Sequence, residues 1–187
     1  CVQVPNIKGV LFDLGGVLVE NPLYADLWKN KKGNKRLRTQ FGMRQIGLQE
    51  YIRHGAKILG CSQKEFYRKT KKAYRHGKLI RPVFSIFKKI KISKYIFSNS
   101  NPIHLEYVKK NFSFVLALTK ANFFTLRKER LVSFRKVIRL IGIKPTEVIF
   151  IDDKKEMIDR AKKIGMKAIL YKNSIQLEKE LRKFNVI

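Results

Sequence analysis

Three of the five aspartates in this chain of 187 residues stand at the ends of apolar runs. Aspartates of a solvated surface are not expected to concentrate at such positions. Asp13 follows the apolar residues 9–12, and Asp152 and Asp153 follow residues 147–151. A buried strand that delivers a carboxylate at its tip can aim a nucleophile or a metal ligand. These three positions are therefore the first candidates for chemistry.

Two further polar positions extend this set. Ser98 and Asn99 follow a short apolar run, and Lys128 comes just before a strongly amphipathic helical pattern. Magnesium prefers oxygen ligands and keeps several waters, and a carboxylate can attack phosphorus to form an aspartyl-phosphate. Serine and lysine can hold phosphoryl oxygens while charge develops on them. The residue types thus suit phosphate chemistry with a hard metal ion.

The elements that position these groups alternate between strands and helices, which indicates an α/β protein with a parallel sheet and right-handed crossovers. In such a sheet, ligands bind beyond the carboxyl ends of the strands, so the polar groups are expected to share one crevice. The apolar runs predict strands at residues 8–14, 94–98, 114–118, 147–151 and 167–171.

Residues from about 20 to 80 interrupt this alternation with a helical pattern after the first strand. Pro22 suits a first helical position, Ser62 begins a capping box, and Pro82 opens a later helix. Residues 29–38 are basic and are expected to form a loop or a frayed helix. The large aromatic residues here have helical spacing and are interpreted as core rather than as a base-stacking platform: Trp28, Tyr51, Phe66 and Tyr74.

Capping residues mark further helix ends. Asn101 is expected to cap one helix and Ser174 the terminal one, while Gly142 and Gly165 stand at helix C-termini. The domain boundaries that follow are a core of residues 1–20 and 81–187 and a helical insertion of residues 21–80.

The charge balance is unusual, with 42 Lys and Arg against 14 Asp and Glu and a formal charge of +28. Such a balance is typical of proteins that meet nucleic acid or another polyanion. Basic residues spread over the whole chain are equally consistent with solvated faces rich in lysine, so both readings stay open.

The remaining composition limits the setting. Cys1 and Cys61 have no metal-ligand spacing and indicate a reducing compartment, and no apolar run has the length of a membrane span. We therefore expect a cytoplasmic protein without a membrane partner. His54, His76 and His104 are isolated, and none is predicted to be catalytic.

Four motifs together resemble the haloacid dehalogenase-like (HAD) hydrolase superfamily over nearly the full chain. They are residues 12–18, residues 97–100, Arg127-Lys128 and residues 150–153, and residues 161–166 are similar as well. The resemblance implies a Rossmann-like parallel sheet with helices on both faces. It also implies that the helical insertion is a small cap that closes over the site and selects the substrate.

The resemblance also implies a role for each residue. Asp13 corresponds to the nucleophile and a magnesium ligand, and Gly15 to a backbone carbonyl ligand. Asp152 would bind Mg²⁺ directly, and Asp153 through water or by orienting its neighbours. The remaining matches are phosphoryl-binding or charge-neutralising residues: Ser98, Asn99 and Lys128.

Gly15 is the main departure from the family pattern, because most phosphatases of the family carry a second aspartate there as general acid and base. A branch that resembles alpha-D-glucose-1-phosphate phosphatase and related small-cap phosphatases also has Asp-Leu-Gly at this point. A second departure is Glu129, which follows Lys128 and could pair with it.

The sequence therefore predicts a magnesium-dependent phosphatase that hydrolyses a small phosphomonoester, a sugar phosphate or a nucleotide, through Asp13. The alternative is a catalytically degenerate relative that binds nucleic acid or another polyanion through its basic surface. Haloacid dehalogenation is a lesser alternative, which the paired Asp152 and Asp153 disfavour because they suit a metal.

Overall fold

The computed structural model describes residues 6–112, 123, 124, 126, 128 and 130–187. These residues pack as two compact units. The sheet unit comprises residues 6–20, 79–98 and the described part of 118–187, and the helical unit comprises residues 21–78 and 99–112.

The sheet unit is built on a parallel sheet of five strands, in the order β5-β4-β1-β6-β7. Its strands are β1 (Gly9–Phe12), β4 (Ser93–Phe97), β5 (Phe123–Phe124), β6 (Val148–Asp152) and β7 (Lys167–Leu170). Two short strands, β2 (Val19–Glu20) and β3 (Lys78–Leu79), form a separate pair. The parallel α/β fold is thus confirmed.

β1 is the central strand because it is apolar on both faces, as strands buried between two helical layers are. Phe12 is in register with Ile96 of β4 and with Ile151 of β6. From β1 the chain runs outward through β4 to β5 and then crosses to β6 on the other side. The strand order therefore reverses between β1 and β6, the point at which open α/β sheets bind ligands.

Helices cover both faces of this sheet. On one face, Leu11 and Phe150 pack with Phe134 of α7 (Leu131–Ile141) and Met157 of α8 (Lys155–Lys163). On the other face, Phe12 makes an edge contact with Phe87, with ring centroids 5.2 Å apart. Phe87 belongs to α5 (Arg81–Lys89), which packs on α9 (Ser174–Arg182).

The helical unit contains five helices around an aromatic core. They are α1 (Pro22–Leu27), α2 (Asn34–Gly42), α3 (Leu48–Leu59), α4 (Gln63–Arg75) and α6 (Pro102–Asn111). Phe41 stacks on Tyr51 at 4.0 Å and Tyr24 on Tyr74 at 4.4 Å. The interpretation of Trp28, Tyr51, Phe66 and Tyr74 as core is confirmed, because all four are buried in one cluster.

Several local predictions differ from the structure. Residues 34–38 lie in the regular helix α2, because Leu37 and Phe41 face the aromatic core one turn apart. The cap of α9 is Asn173, which accepts a hydrogen bond from the backbone N–H of Gln176, so the assignment to Ser174 was wrong. The predicted strand at residues 114–118 lies outside the described residues.

The predicted division at residues 21–80 stays a prediction, and the compact units differ from it at α6. The N-terminal end of this helix is held to α4: Asn101 Nδ2 donates to Tyr74 Oη at 2.5 Å, and the His104 ring stacks on Tyr74. Residues 99–112 therefore group with the helical unit.

Candidate active site

Asp13 and Asp152 lie at the carboxyl ends of β1 and β6, on either side of the point where the strand order reverses. The backbone N–H of Asp13 donates to the carbonyl of Ile151 at 2.8 Å and extends the ladder to the strand tip. Both carboxylates are buried, with 5% and 0% of their residue surfaces exposed. Sheet register alone therefore brings them together.

Lys128 is inserted between these two carboxylates. Its Nζ lies 2.7 Å from Asp13 Oδ1 and 2.5 Å from Asp152 Oδ2, and the residue is only 3% exposed. The ammonium also lies over the rings of Phe97 and Phe150, 5.9 and 5.7 Å from their centroids. Two carboxylates and two aromatic faces thus compensate the burial of this cation.

Backbone amides fix the orientation of the carboxylates. The N–H of Leu14 donates to Asp13 Oδ1 at 2.8 Å, and the N–H of Lys154 donates to Asp152 Oδ1 at 2.9 Å. The turn after each strand therefore orients the carboxylate at the strand end through a backbone hydrogen bond.

Asp153 completes a cluster of three carboxylates. One oxygen from each of Asp13, Asp152 and Asp153 can be chosen so that all three lie within 4.8 Å of one another. Three carboxylates and one ammonium carry a formal charge of −2. An all-oxygen donor set with this charge fits a hard divalent cation.

Gly16 makes room for Asp153. Its φ of +87° is in the left-handed region, and a Cβ built on it would lie 2.6 Å from Asp153 Oδ2. A side chain there would push the third carboxylate out of the cluster. The sequence shows the glycine pair, but the contact that requires Gly16 depends on the fold.

Burial and like charge tune the acids. Burial, opposed by the Lys128 ammonium and reinforced by the Asp152 charge, raises the pKa of Asp13 to about 6. Burial and the neighbouring Asp152 also raise the pKa of Asp153. Burial alone would lower the pKa of Lys128, but Asp13 and Asp152 raise it above its ordinary value. Lys128 therefore stays charged.

The other predicted site residues are placed as follows. Ser98 follows β4, the strand next to β1; it is 2% exposed, and its N–H donates to the carbonyl of Phe124. Gly15 lies in the turn after β1 and bridges to Val19. Asn99 is partly buried in the helical unit.

No protein-family profile and no curated protein matches the sequence. Solved structures do match. A HAD-like family hydrolase from Porphyromonas gingivalis superposes with a TM-score of 0.74 at 18% identity, over 95% of this chain and 98% of that one. The HAD family enzyme bt-2542 from Bacteroides thetaiotaomicron gives a TM-score of 0.71 at 23% identity, over 89% and 94% of the two chains.

A third match is the L-2-haloacid dehalogenase from Xanthobacter autotrophicus, with a TM-score of 0.62 at 18% identity, over 97% of this chain and 84% of that one. The chain therefore has the fold of the haloacid dehalogenase-like hydrolases. None of these matches is described as an alpha-D-glucose-1-phosphate phosphatase, so that branch stays a prediction. In the described part of the chain, no helix combines the length and the apolar character that crossing a membrane requires.

Proposed function

We propose that the protein is a magnesium-dependent phosphatase that hydrolyses a small phosphomonoester through an aspartyl-phosphate on Asp13. The observation that carries the proposal is the cluster at the carboxyl ends of β1 and β6, in which Asp13, Lys128 and Asp152 are buried and Asp153 is exposed. The enzyme bt-2542, which shares the fold, has been solved in complex with magnesium and inorganic phosphate.

The side chains divide the chemistry between them. The Asp13 carboxylate attacks phosphorus, a P–O bond to Asp13 forms, and the ester P–O bond breaks to release the alcohol, which takes its proton from solvent. Water then attacks phosphorus and gives a proton to solvent, the P–O bond to Asp13 breaks, and inorganic phosphate leaves. Lys128 holds Asp13 in place and compensates charge on the phosphoryl oxygens, to which Ser98 donates a hydrogen bond.

The magnesium ion would be held by Asp13, Asp152 and Asp153 together with the backbone carbonyl of Gly15. When bound, it supplies positive charge that offsets the repulsion between an anionic nucleophile and an anionic phosphate. The three clustered carboxylate oxygens and their negative balance support this assignment.

A phosphatase assay tests the proposal. The wild-type protein is expected to hydrolyse p-nitrophenyl phosphate and members of a sugar-phosphate and nucleotide panel with Mg²⁺, and to lose activity in EDTA. Asp13→Asn is expected to lower kcat roughly 10⁴-fold or more, because it removes the nucleophile. The matched control is Asp159→Asn, since Asp159 pairs with Lys155 on the surface of α8.

The assay also separates the dehalogenase alternative, which the shared fold of the Xanthobacter enzyme keeps in view. Release of chloride from 2-chloropropionate without Mg²⁺, together with no phosphatase activity on any substrate, would show that the proposed reaction is wrong.

A further inference from the structure

Helix α4 of the helical unit carries a row of four exposed cations: Lys64, Arg68, Lys72 and Arg75. Successive members are three or four residues apart, so the row occupies one side of the helix. At about 1.5 Å per residue it is roughly 16 Å long. We call these four residues the basic row.

Acids balance only a small part of the charge of the basic row. The one acidic residue of α4 is Glu65, and it pairs with Lys69 at 2.8 Å. Among the described residues, no salt bridge engages any member of the basic row. Like charges three and four residues apart destabilise a helix. This repulsion works against the stability of the free helix, while the helix dipole favours Lys72 and Arg75 in its last turn.

Folding does not require the basic row either. The opposite side of α4 supplies the packing, through Phe66, Thr70, Ala73 and Tyr74, which are buried. The row could be neutral and polar without any loss of core contacts. Four exposed cations without a salt bridge, none of which packs in the core, indicate a surface for an anionic partner.

A groove between α4 and α6 continues the basic row. Its volume is about 430 Å³. Three cations and one exposed acid line it, together with two tyrosines and two further residues: Lys71, Arg75, Lys110, Glu106, Tyr74, Tyr107, Ile103 and Asn111. Arg75 belongs to both the row and the groove. The Tyr107 hydroxyl donates to the Arg75 carbonyl at 2.8 Å, which fixes the ring beside the end of the row. The volume suits a small flat ligand group.

We propose that the helical unit binds single-stranded nucleic acid, with phosphates along the basic row and one base in the groove beside Tyr107. A positively charged track next to an aromatic side chain is the combination that single strands use. A duplex would keep its bases stacked and out of the groove. A membrane-bound helix needs exposed apolar side chains, and no large apolar residue of α4 or α6 is among the exposed ones.

Fluorescence anisotropy with a labelled oligouridylate of roughly 12 nucleotides tests the proposal, since single-strand sites span about 4–16 nucleotides. Four phosphate contacts contribute about −3 to the slope of log affinity against log salt. The variant Lys64→Gln, Arg68→Gln, Lys72→Gln, Arg75→Gln is expected to bind about tenfold more weakly at low salt and to lose that part of the slope.

The matched control neutralises four exposed cations of the sheet unit, which leaves the same net charge: Lys136→Gln, Arg139→Gln, Lys162→Gln and Lys163→Gln. It is expected to bind within about twofold of the wild-type protein. If both quadruple variants lose the same affinity, the protein attracts RNA by its net charge alone, and the proposed site is wrong. Circular dichroism melts check that each variant is folded.

The groove has its own test. Tyr107→Leu is expected to weaken binding about tenfold without changing the salt slope, because stacking is not electrostatic. Tyr107→Phe keeps the ring, loses only the hydrogen bond to Arg75, and is expected to bind like the wild-type protein. Equal binding by the wild-type protein and both variants would show that no base of the nucleic acid occupies the groove.

Two further readouts separate this nucleic-acid site from a membrane-binding surface and from the phosphatase site. Vesicles containing phosphatidylserine are expected not to displace the oligonucleotide; displacement that depends on the basic row would make the row a membrane site and overturn the proposal. Hydrolysis of p-nitrophenyl phosphate is expected to be unchanged in the basic-row variant. Failure of the RNA site and failure of the proposed phosphatase activity are therefore distinguishable.

Discussion

The sheet unit and the helical unit each bury a cluster of polar side chains, but the two clusters are built on opposite principles. In the sheet unit, Asp13, Lys128 and Asp152 are buried as charges and satisfied by one another. In the helical unit, His104 lies between Asn21 and Ser100, with 3.1 Å to each of these neutral partners. A neutral imidazole satisfies that arrangement with its single N–H.

Burial disfavours the charged form in both clusters, so it shifts the pKa of an acid and the pKa of a base in opposite directions. It raises the pKa of Asp13 to about 6, and it lowers the pKa of His104 to about 4. Burial likewise raises the pKa values of Tyr51 and Tyr74, so the polar groups of the helical unit stay neutral. The helical cluster therefore has a structural role. The charged cluster buries ionisable groups with shifted pKa values, which is typical of reactive sites.

Two glycines, one in each unit, differ in the space around them. A Cβ at Gly55 of the helical unit would lie 2.1 Å from the Phe66 ring, whereas a Cβ at Gly15 beside the charged cluster would meet nothing within 4 Å. The space where most phosphatases of this fold carry their acid is open and not filled by another side chain of the described residues.

Gly15→Asp is expected to raise activity, because it adds a group that can move a proton. Hydrolysis of alkyl phosphates, whose leaving groups need a proton, is expected to rise about 10²-fold or more. Hydrolysis of p-nitrophenyl phosphate, whose leaving group needs none, is expected to change little. Gly15→Asn is the control; an equal gain for both variants would show that proton transfer is not what position 15 lacks.

Lys128→Met tests the charged cluster as a unit. It leaves Asp13 and Asp152 buried without their shared cation, and the free energy of unfolding is expected to fall by about 3–5 kcal/mol at pH 7.5. Lys155→Met removes an exposed pair with Asp159 and is the control, with little expected change in stability. Urea unfolding measures both, and similar losses in the two variants would mean that Lys128 does not hold the carboxylates.

His104→Gln tests the neutral cluster. Because the folded pKa of about 4 lies below the unfolded value of 6.5, the unfolded chain binds a proton first as the pH falls. The wild-type protein is therefore expected to lose up to about 3 kcal/mol relative to this variant between pH 6.5 and pH 4. Urea unfolding across this range measures the difference, and parallel curves for the two proteins would contradict the assignment.

Asp13→Asn, measured in EDTA, tests a dependence of stability on pH that is opposite in sign to that of His104. The folded pKa of Asp13 is raised, so its contribution to stability is fully present below pH 3.8 and is lost as the pH rises through about 6. Relative to the variant, the wild-type protein is expected to gain up to about 3 kcal/mol as the pH falls over that range. In the wild-type protein the two effects largely cancel, so only the variants reveal them.

The charged cluster was predictable because strand ends converge at one edge of a parallel sheet. Asp13, Asp152 and Lys128 could be named from apolar runs and residue types alone, and the structure brings them into contact. The role of Gly16 was not predictable, because it depends on how closely Asp153 approaches it across the sheet.

The structure of the helical unit was harder to predict from the sequence. The basic residues of α2 concealed the one-turn spacing of Leu37 and Phe41, so a regular helix was expected to be a loop or a frayed helix. The grouping of α6 with the other helices depends on Tyr74, which contacts Asn101 and His104 about thirty residues later in the chain. Local patterns do not encode such long-range contacts, and His104 appeared isolated for this reason.

The most direct test of the proposed mechanism is to trap the intermediate on Asp13. The wild-type protein is mixed with p-nitrophenyl phosphate and Mg²⁺, quenched in acid within one turnover and digested. The peptide that contains Asp13 is expected to carry the mass of one phosphoryl group, which hydroxylamine removes, and the Asp13→Asn protein is expected to carry none. Release of phosphate by the wild-type protein with no label on this peptide, or with the label on another residue, would contradict the mechanism.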